Sequence, residues 1–359
     1  MVYQIPKLAV DSVMLKCKLA ANKLVKPVFL NFPITYKCNL RCQMCGIWKR
    51  YSKGNEASKE LSLQEIKQVF LKNKEFLSEV RHMGITGGEA FLRQDIVEIM
   101  RFFRQEFPKI AVGIQTNGLA VKKIIKDIKE ILEFYPEFSL AVSIDGIGKT
   151  HDKIRGVKGS FKNALKTIKE AQKLGLKSLT IGMVVSETNY KEIMKVAKLA
   201  EKYNADFSCF LADEGDYFNN KGNKPKGISK KALAAIIKDL KKFKHHYFMD
   251  NLRRQLEFGE KRTLPCYSGI TSLVIDPYGN LRPCIILQDS FGSLKTNTMK
   301  ELLSSSKAQQ IKEKIKKCAC WNQCEVSTSA IMDFFNVAKW FLKTPAKKAF
   351  IKNFAKKNS

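Results

Sequence analysis

The sequence predicts an α/β protein: a partial (β/α)6 TIM-like barrel followed by a small α+β domain. Three observations carry this expectation. Short runs rich in β-branched and aromatic residues alternate six times with longer amphipathic runs between Pro27 and about Lys244. Glycine and polar turns follow several of the short runs, as at Gly87–Gly88 and Asn117–Gly118. Beyond about Leu252 the alternation stops and a second set of cysteines begins.

The strand candidates are Val28–Thr35, His82–Thr86, Ile110–Thr116, Phe138–Ile144, Leu179–Val185 and Asp206–Leu211. Between and after them lie helix-like segments at Leu63–Leu77, Gln94–Glu106, Val121–Phe134, Ser160–Leu174, Tyr190–Tyr203 and Ser229–Phe243. Ser62 followed by Glu65 predicts a capping box for the first of these. Strand–helix units in succession imply a parallel sheet with right-handed crossovers. In such a barrel the chemistry sits at the C-terminal strand ends. Asp213–Gly227, rich in glycine, asparagine and charge, reads as a loop. The expected division is a basic amphipathic segment over 1–26, the barrel over 27–250, the small domain over 251–330 and a basic amphipathic tail over 331–359.

Composition narrows the function classes. With 359 residues of which 45% are apolar, the chain can bury a core and global disorder is excluded. No run approaches the ~18 uninterrupted apolar residues of a spanning helix. Met1–Val10 lacks the regions of a signal peptide, so the expected location is cytoplasmic. The net charge of +30 favours anionic partners, although a lysine-rich genome would raise it without any function.

Ten cysteines in a cytoplasmic chain argue for metal rather than disulfides. Cys38, Cys42 and Cys45 follow the first strand with C-x3-C-x2-C spacing. Three thiolates so spaced can hold three corners of an iron–sulfur cube and leave the fourth iron open. A structural zinc site wants a fourth cysteine or histidine, and the local sequence has none. Cys17 and Cys209 stand alone and read as small buried apolar residues.

The stretch Cys38-Asn39-Leu40-Arg41-Cys42-Gln43-Met44-Cys45 strongly resembles the signature loop of the radical S-adenosylmethionine superfamily. Its one departure is Met44, where an aromatic residue is usual. Thr86-Gly87-Gly88-Glu89-Ala90, one strand later, resembles the family's segment for the methionine amino group, with Gly87 and Gly88 allowing close backbone approach and Glu89 supplying an anionic acceptor. Ser143 and Asp145, in Ser143-Ile144-Asp145-Gly146, are similar to the ribose- and carboxylate-contacting segment. Arg155 matches the position that pairs with the methionine carboxylate, a use suited to a guanidinium fork. Trp48 lies close enough in sequence to line the same pocket, or serves packing alone. Gln115–Gly118 borders the substrate space.

The resemblance implies a cluster-binding [4Fe–4S] site on Cys38, Cys42 and Cys45, S-adenosylmethionine as co-substrate, and a 5′-deoxyadenosyl radical that abstracts hydrogen from a substrate. It also implies a flavodoxin- or ferredoxin-type electron donor. Cys266 and Cys284 flank a hairpin pattern, Val274–Leu281, whose spacing resembles the opening of SPASM and twitch extensions. Five cysteines (Cys266, Cys284, Cys318, Cys320 and Cys324) then compete for four positions of one auxiliary [4Fe–4S] cluster, with Cys318 the substitute in the favoured set. A zinc site of four thiolates is the alternative. A fully ligated auxiliary cluster suits electron transfer and therefore net oxidation or cross-linking, with ribosomal peptide maturation as the leading expectation. The alternatives are a sugar or lipid-linked substrate at the membrane surface, or a non-catalytic iron–sulfur or nucleic-acid-binding protein, against which the motifs for S-adenosylmethionine argue. The basic amphipathic ends, Leu8–Leu24 and Ile331–Phe354, predict peripheral membrane contact or helices packed across the barrel.

Overall fold

The computed structural model describes residues 5–53, 59–220, 227–243, 246–260, 262, 264–318 and 320–343. Its strands are β1 (Phe29–Pro33), β2 (His82–Thr86), β3 (Ala111–Thr116), β4 (Ser139–Ser143), β5 (Ser178–Val185) and β6 (Asp206–Leu211). They are followed by β7 (Ser272–Ile275), β8 (Asn280–Arg282) and β9 (Gly292–Ser293). The helices are α1 (Ile5–Ala20), α2 (Leu63–Lys72), α3 (Ile96–Glu106), α4 (Val121–Phe134), α5 (Lys149–Arg155), α6 (Ser160–Lys173) and α7 (Ile193–Lys202). After them come α8 (Lys230–Leu240), α9 (Tyr247–Phe258), α10 (Met299–Ser304), α11 (Ser306–Lys316), α12 (Gln323–Met332) and α13 (Phe334–Lys343).

One sheet runs in the order β6-β5-β4-β3-β2-β1-β7-β8-β9. All pairings from β6 to β7 are parallel, and β8 and β9 add antiparallel. Crossover helices cover one face of the parallel strands, where Met83, Ile85, Val112 and Ile114 are buried. The opposite face carries Gly84, Thr86 and Gly113, which are half-buried, and Gln115, which is exposed. That open face is the barrel interior. The core beneath the helices includes an aromatic cluster in which Phe70 lies 5.2 Å from Phe32 and 4.7 Å from Phe103.

Local chemistry explains the element ends. Both halves of the Ser62–Glu65 capping box form. Helix α2 stops at Lys72 rather than at the predicted Leu77 because Asn73 is buried there. Its amide donates to the Val69 carbonyl at 2.8 Å, and its side-chain oxygen accepts from the Met299 backbone at 2.7 Å. A short 3-10 turn, Phe76–Glu79, takes up the rest of the predicted segment.

The small domain expected over 251–330 is not detached from the barrel. The Asp276–Gly279 turn forms the expected hairpin between β7 and β8, but β7 also pairs in parallel with β1, Leu30 opposite Leu273. The reason is apolar: Leu273, Val274 and Ile275 are all buried, so the strand belongs inside a sheet and not at its edge. Among the described residues, no helix is long and apolar enough to cross a membrane.

Candidate functional site

The first cysteine loop leaves β1 at the C-terminal end of the sheet and is held from three sides. The segment after β2 lies along it, with the Gly88 amide donating to Thr35 at 2.7 Å and the Glu89 amide to Lys37 at 2.8 Å. A Cβ at Gly87 would stand 2.5 Å from the Thr35 carbonyl oxygen, and one at Gly88 only 2.3 Å from that of Lys37. These glycines therefore serve the approach of one backbone to the cysteine loop, a need that the sequence alone could not separate from approach to a ligand. On a second side Arg41 and Gln43 donate their amides to Arg155 and Ile154. Gly156 closes α5 in a left-handed conformation, φ +71°, where a Cβ would meet the Arg41 carbonyl oxygen at 2.6 Å.

The third side is a strap, 213–220, within the segment that the sequence reads as a loop. Asn220 is buried. Its amide donates to Met44 at 2.9 Å and Asp213 at 3.0 Å, while its oxygen accepts from the Gly215 amide at 3.0 Å. The Gly46 amide donates to Phe218 at 2.7 Å, and the Tyr217 hydroxyl to the Gly87 carbonyl at 2.7 Å. Asp216 accepts from Arg282 at 2.6 Å, and its carbonyl accepts from Arg50 at 2.6 Å.

Cys38, Cys42 and Cys45 all have their thiols pushed up by burial, Cys38 to about 12 and Cys45 to about 11, with neighbouring cysteines adding to the shift at Cys38 and Cys45. Buried soft donors without a cation stay protonated, and a bound iron would deprotonate them. Among the described residues no three Cys, His, Asp or Glu side chains gather closely enough for a single metal ion. Thiols that hold separate corners of a cube need not converge on one point, so the donor set is compatible with a cluster.

Glu89 is buried, and burial raises its carboxyl. It accepts from Thr116 Oγ1 at 2.8 Å, the Asn117 amide at 2.7 Å and the Phe91 amide at 3.2 Å. A carboxylate has about four acceptor positions, so one remains for a cationic ligand. Asn117 also donates to Asn39 Oδ1 at 2.8 Å, tying the end of β3 to the cysteine loop. Asp145 is fully buried after β4; it accepts from the Val184 amide at 2.9 Å and pairs with Arg155 Nε at 2.6 Å. Arg155 Nη1 reaches Cys42 Sγ at 3.9 Å. A ligand carboxylate meeting this guanidinium end-on would compete with the sulfur and not with Asp145. Ser143 ends β4 opposite Gly182 of β5. Trp48 donates to the Cys45 carbonyl at 3.1 Å and lies under the Arg41 guanidinium at 4.7 Å, so it braces the loop itself.

Two buried groups escaped the sequence. His151 Nδ1 accepts from the Asp145 amide at 3.1 Å; burial holds the imidazole neutral, down to about 3. Glu325, next to Cys324, accepts from Ser268 Oγ at 2.5 Å, and burial raises it to about 7. A residue's burial, not its type, marks both, and spacing carries no such signal.

The later cysteines converge beside β7 and β8. Cys318 lies close enough to Cys266 and Cys320 to shift both thiols, and Cys284 lies close enough to Cys266 to be raised by it. Cys318 thus sits inside the group and not at its margin. The side chain of Cys324 lies outside the described residues; its backbone is in the first turn of α12. Arg262 braces the site, donating to Cys320 at 2.8 Å and Ser329 Oγ at 3.1 Å. The strap reaches this site too: the Asp216 and Tyr217 amides donate to Ile286 and Ile285, and Asp213 accepts from Asn322 at 3.2 Å.

Comparison with known proteins accords with this geometry. Residues 32–200 match the radical SAM superfamily model, and residues 266–325 match the SPASM iron–sulfur cluster-binding domain. The chain is 26% identical over 314 residues to the antilisterial bacteriocin subtilosin biosynthesis protein AlbA of Bacillus subtilis, covering 84% of this chain and 66% of that protein. It is 25% identical to the sporulation killing factor maturation protein SkfB of the same organism, covering 84% of this chain and 70% of the relative. Among solved structures, Streptococcus suis SuiB superposes with a TM-score of 0.62 at 18% identity, over 84% of this chain and 71% of that one. The structure of anSMEcpe with AdoMet and the Cp18Cys peptide gives 0.60 at 21% identity, over 81% and 84%. At such identities the superpositions establish the fold.

Proposed function

This chain is an enzyme of the radical SAM superfamily with a SPASM iron–sulfur domain, and from that premise we propose that it matures a peptide by oxidation or cross-linking. The observation that carries the reading is the strap 213–220, which hydrogen-bonds both the first cysteine loop and the segments that hold Cys284 and Cys320. Two cysteine sites joined by one hydrogen-bonded element suit a reaction in which one starts a substrate radical and the other removes its electron. The relatives point the same way. AlbA and SkfB are named for bacteriocin and killing-factor biosynthesis. SuiB has been solved with its precursor peptide SuiA.

In this reading Cys38, Cys42 and Cys45 hold a [4Fe–4S] cluster, and Cys266, Cys284, Cys318, Cys320 and Cys324 supply the ligands of one auxiliary cluster. A reduced cluster held by the first three thiolates would supply the electron that splits bound S-adenosylmethionine into methionine and a 5′-deoxyadenosyl radical. Glu89 accepts from the ammonium of the bound methionine moiety, its other acceptor positions being already filled by Thr116, Asn117 and Phe91. Arg155, held by Asp145, meets the methionine carboxylate. Gly87 and Gly88 keep the segment after β2 against the cysteine loop, so that Glu89 and the thiols hold one geometry. Ser143 faces the ribose, and Trp48 braces the loop. Gln115 and Thr86, on the partly covered barrel face, border the peptide.

The test is anaerobic incubation of the reduced, reconstituted protein with S-adenosylmethionine and the short peptides encoded beside its gene. Mass spectrometry of a peptide that has lost hydrogen, with fragments missing across a new cross-link, is the expected result. Turnover of a sugar or lipid-linked substrate with every peptide unchanged would contradict the reading.

A further inference from the structure

Seven large apolar side chains are well exposed among the described residues, and five of them sit on two helices from opposite ends of the chain: Val10, Val13 and Met14 on α1, Phe335 and Leu342 on α13. The α1 residues recur at helical spacing, continued by the exposed Cys17, and so form one stripe. This is not the stripe that holds α1 to the protein. Ser12 and Leu15 do that, with Leu15 packed against Val25, Val28, Tyr267 and Met332. On α13, Trp340 points inward, donating to Asp250 at 2.9 Å and meeting Tyr247 edge-on at 5.0 Å. Phe335, Lys339 and Leu342 face out.

The two stripes join. Lys16 donates to Asp333 at 3.2 Å, and its ammonium lies 5.5 Å over the Phe335 ring. The acids around them are few and each is met by a cation, Glu79 by Lys18 at 3.8 Å among them. Asp11, the only acid in α1, is taken by Arg81 at 2.5 Å, and Asp333 is buried under Lys16. From Lys339 to Ser359 the sequence holds seven lysines and no Asp or Glu.

We propose that α1 and α13 together dock the protein on the surface of an anionic lipid bilayer, with the barrel mouth turned away from it. Exposed apolar stripes flanked by lysines are what helices lying in the plane of such a surface present. A second copy is the wrong occupant, since each chain carries a net charge of +30 and would bring like charge to like. The orientation follows from where α1 sits. It packs at the N-terminal ends of the strands, through Val25 and Val28 before β1 and Arg81 before β2. Cys38–Cys45 and Gly87–Glu89 follow the C-terminal ends. A docked enzyme thus opens toward soluble peptides and not toward lipid.

Flotation of the full-length protein with vesicles tests this. With vesicles of equal phosphatidylglycerol and phosphatidylcholine the protein should float, and with pure phosphatidylcholine or in high salt it should not. The variant Val13→Ser, Met14→Ser, Phe335→Ser, Leu342→Ser should lose bound fraction by roughly tenfold. Leu71→Ser with Phe258→Ser, which changes the other two well-exposed large apolar residues among those described, should bind like the parent. No flotation of the parent chain would overturn the proposal. So would equal binding of both variants, or a doubled mass in light scattering that the fourfold variant abolishes, which would make the face a contact between copies.

Discussion

Asn220 donates its side-chain amide to the carbonyl of Met44 at 2.9 Å, one residue before Cys45. The same amide bonds Asp213, whose carboxylate accepts from Asn322, in the segment between Cys320 and Cys324. One buried side chain therefore links the two cysteine sites through hydrogen bonds alone.

Replacing it tests that link. Asn220→Leu leaves the Met44 carbonyl and the Gly215 amide without a partner, at roughly 1–3 kcal/mol each where they stay buried. The prediction goes beyond stability. Iron content should fall, and the electron paramagnetic resonance signal of the reduced first cluster should change in the protein that remains folded. Asn220→Asp, which keeps the acceptor for Gly215 but loses both donors, should be intermediate. A lowered melting temperature with an unchanged signal would reduce Asn220 to a structural residue.

Gly88→Ala places a Cβ 2.3 Å from the Lys37 carbonyl oxygen, with backbone on both sides of the contact. Overpacking of this kind costs roughly 1–3 kcal/mol. Gly182→Ala, in β5, meets nothing within 4 Å and should change stability little. Denaturant melts of the two variants check the contrast.

Arg155 and Asp145 form a buried ion pair at 2.6 Å. Arg155→Leu strands the Asp145 charge, and breaking such a pair costs roughly 3–5 kcal/mol. Adding Asp145→Asn should recover part of that stability while leaving S-adenosylmethionine binding lost. Recovery of binding as well would show that Arg155 acts only through Asp145.

His151 makes stability depend on pH in a defined direction. Its folded-state value lies near 3, far below the ordinary imidazole value near 6.5, because burial disfavours the charged ring. As pH falls below about 6.5 the unfolded chain takes up a proton that the folded one refuses. Stability is therefore full above that pH and is lost on the way down to about 3, by at most about 1.4 kcal/mol per pH unit. Chemical denaturation of His151→Gln across this range should show a shallower acid slope than the parent.

Much of this was legible in the sequence, for physical reasons that differ by element. The β2 and β6 strands fall at their predicted bounds, His82–Thr86 and Asp206–Leu211; in β2 the alternation is plain, with Met83 and Ile85 buried between less buried neighbours. The C-x3-C-x2-C loop and the glycines after β2 were legible because spacing along the chain is itself the chemistry. What escaped was set by tertiary contact. Nothing local says that β7 pairs with β1, or that Asn220 reaches Met44 across 176 positions. Nor does sequence show that Arg155 meets Asp145, since that pair joins the end of β4 to the end of α5.

The central claim is that Cys38, Cys42 and Cys45 carry a cluster that cleaves S-adenosylmethionine. Chromatography of 5′-deoxyadenosine after anaerobic reduction tests it most directly. 5′-Deoxyadenosine is expected from the parent chain and from Cys284→Ser, and none from Cys42→Ser. A parent protein that holds its iron and sulfide yet releases no 5′-deoxyadenosine would contradict it.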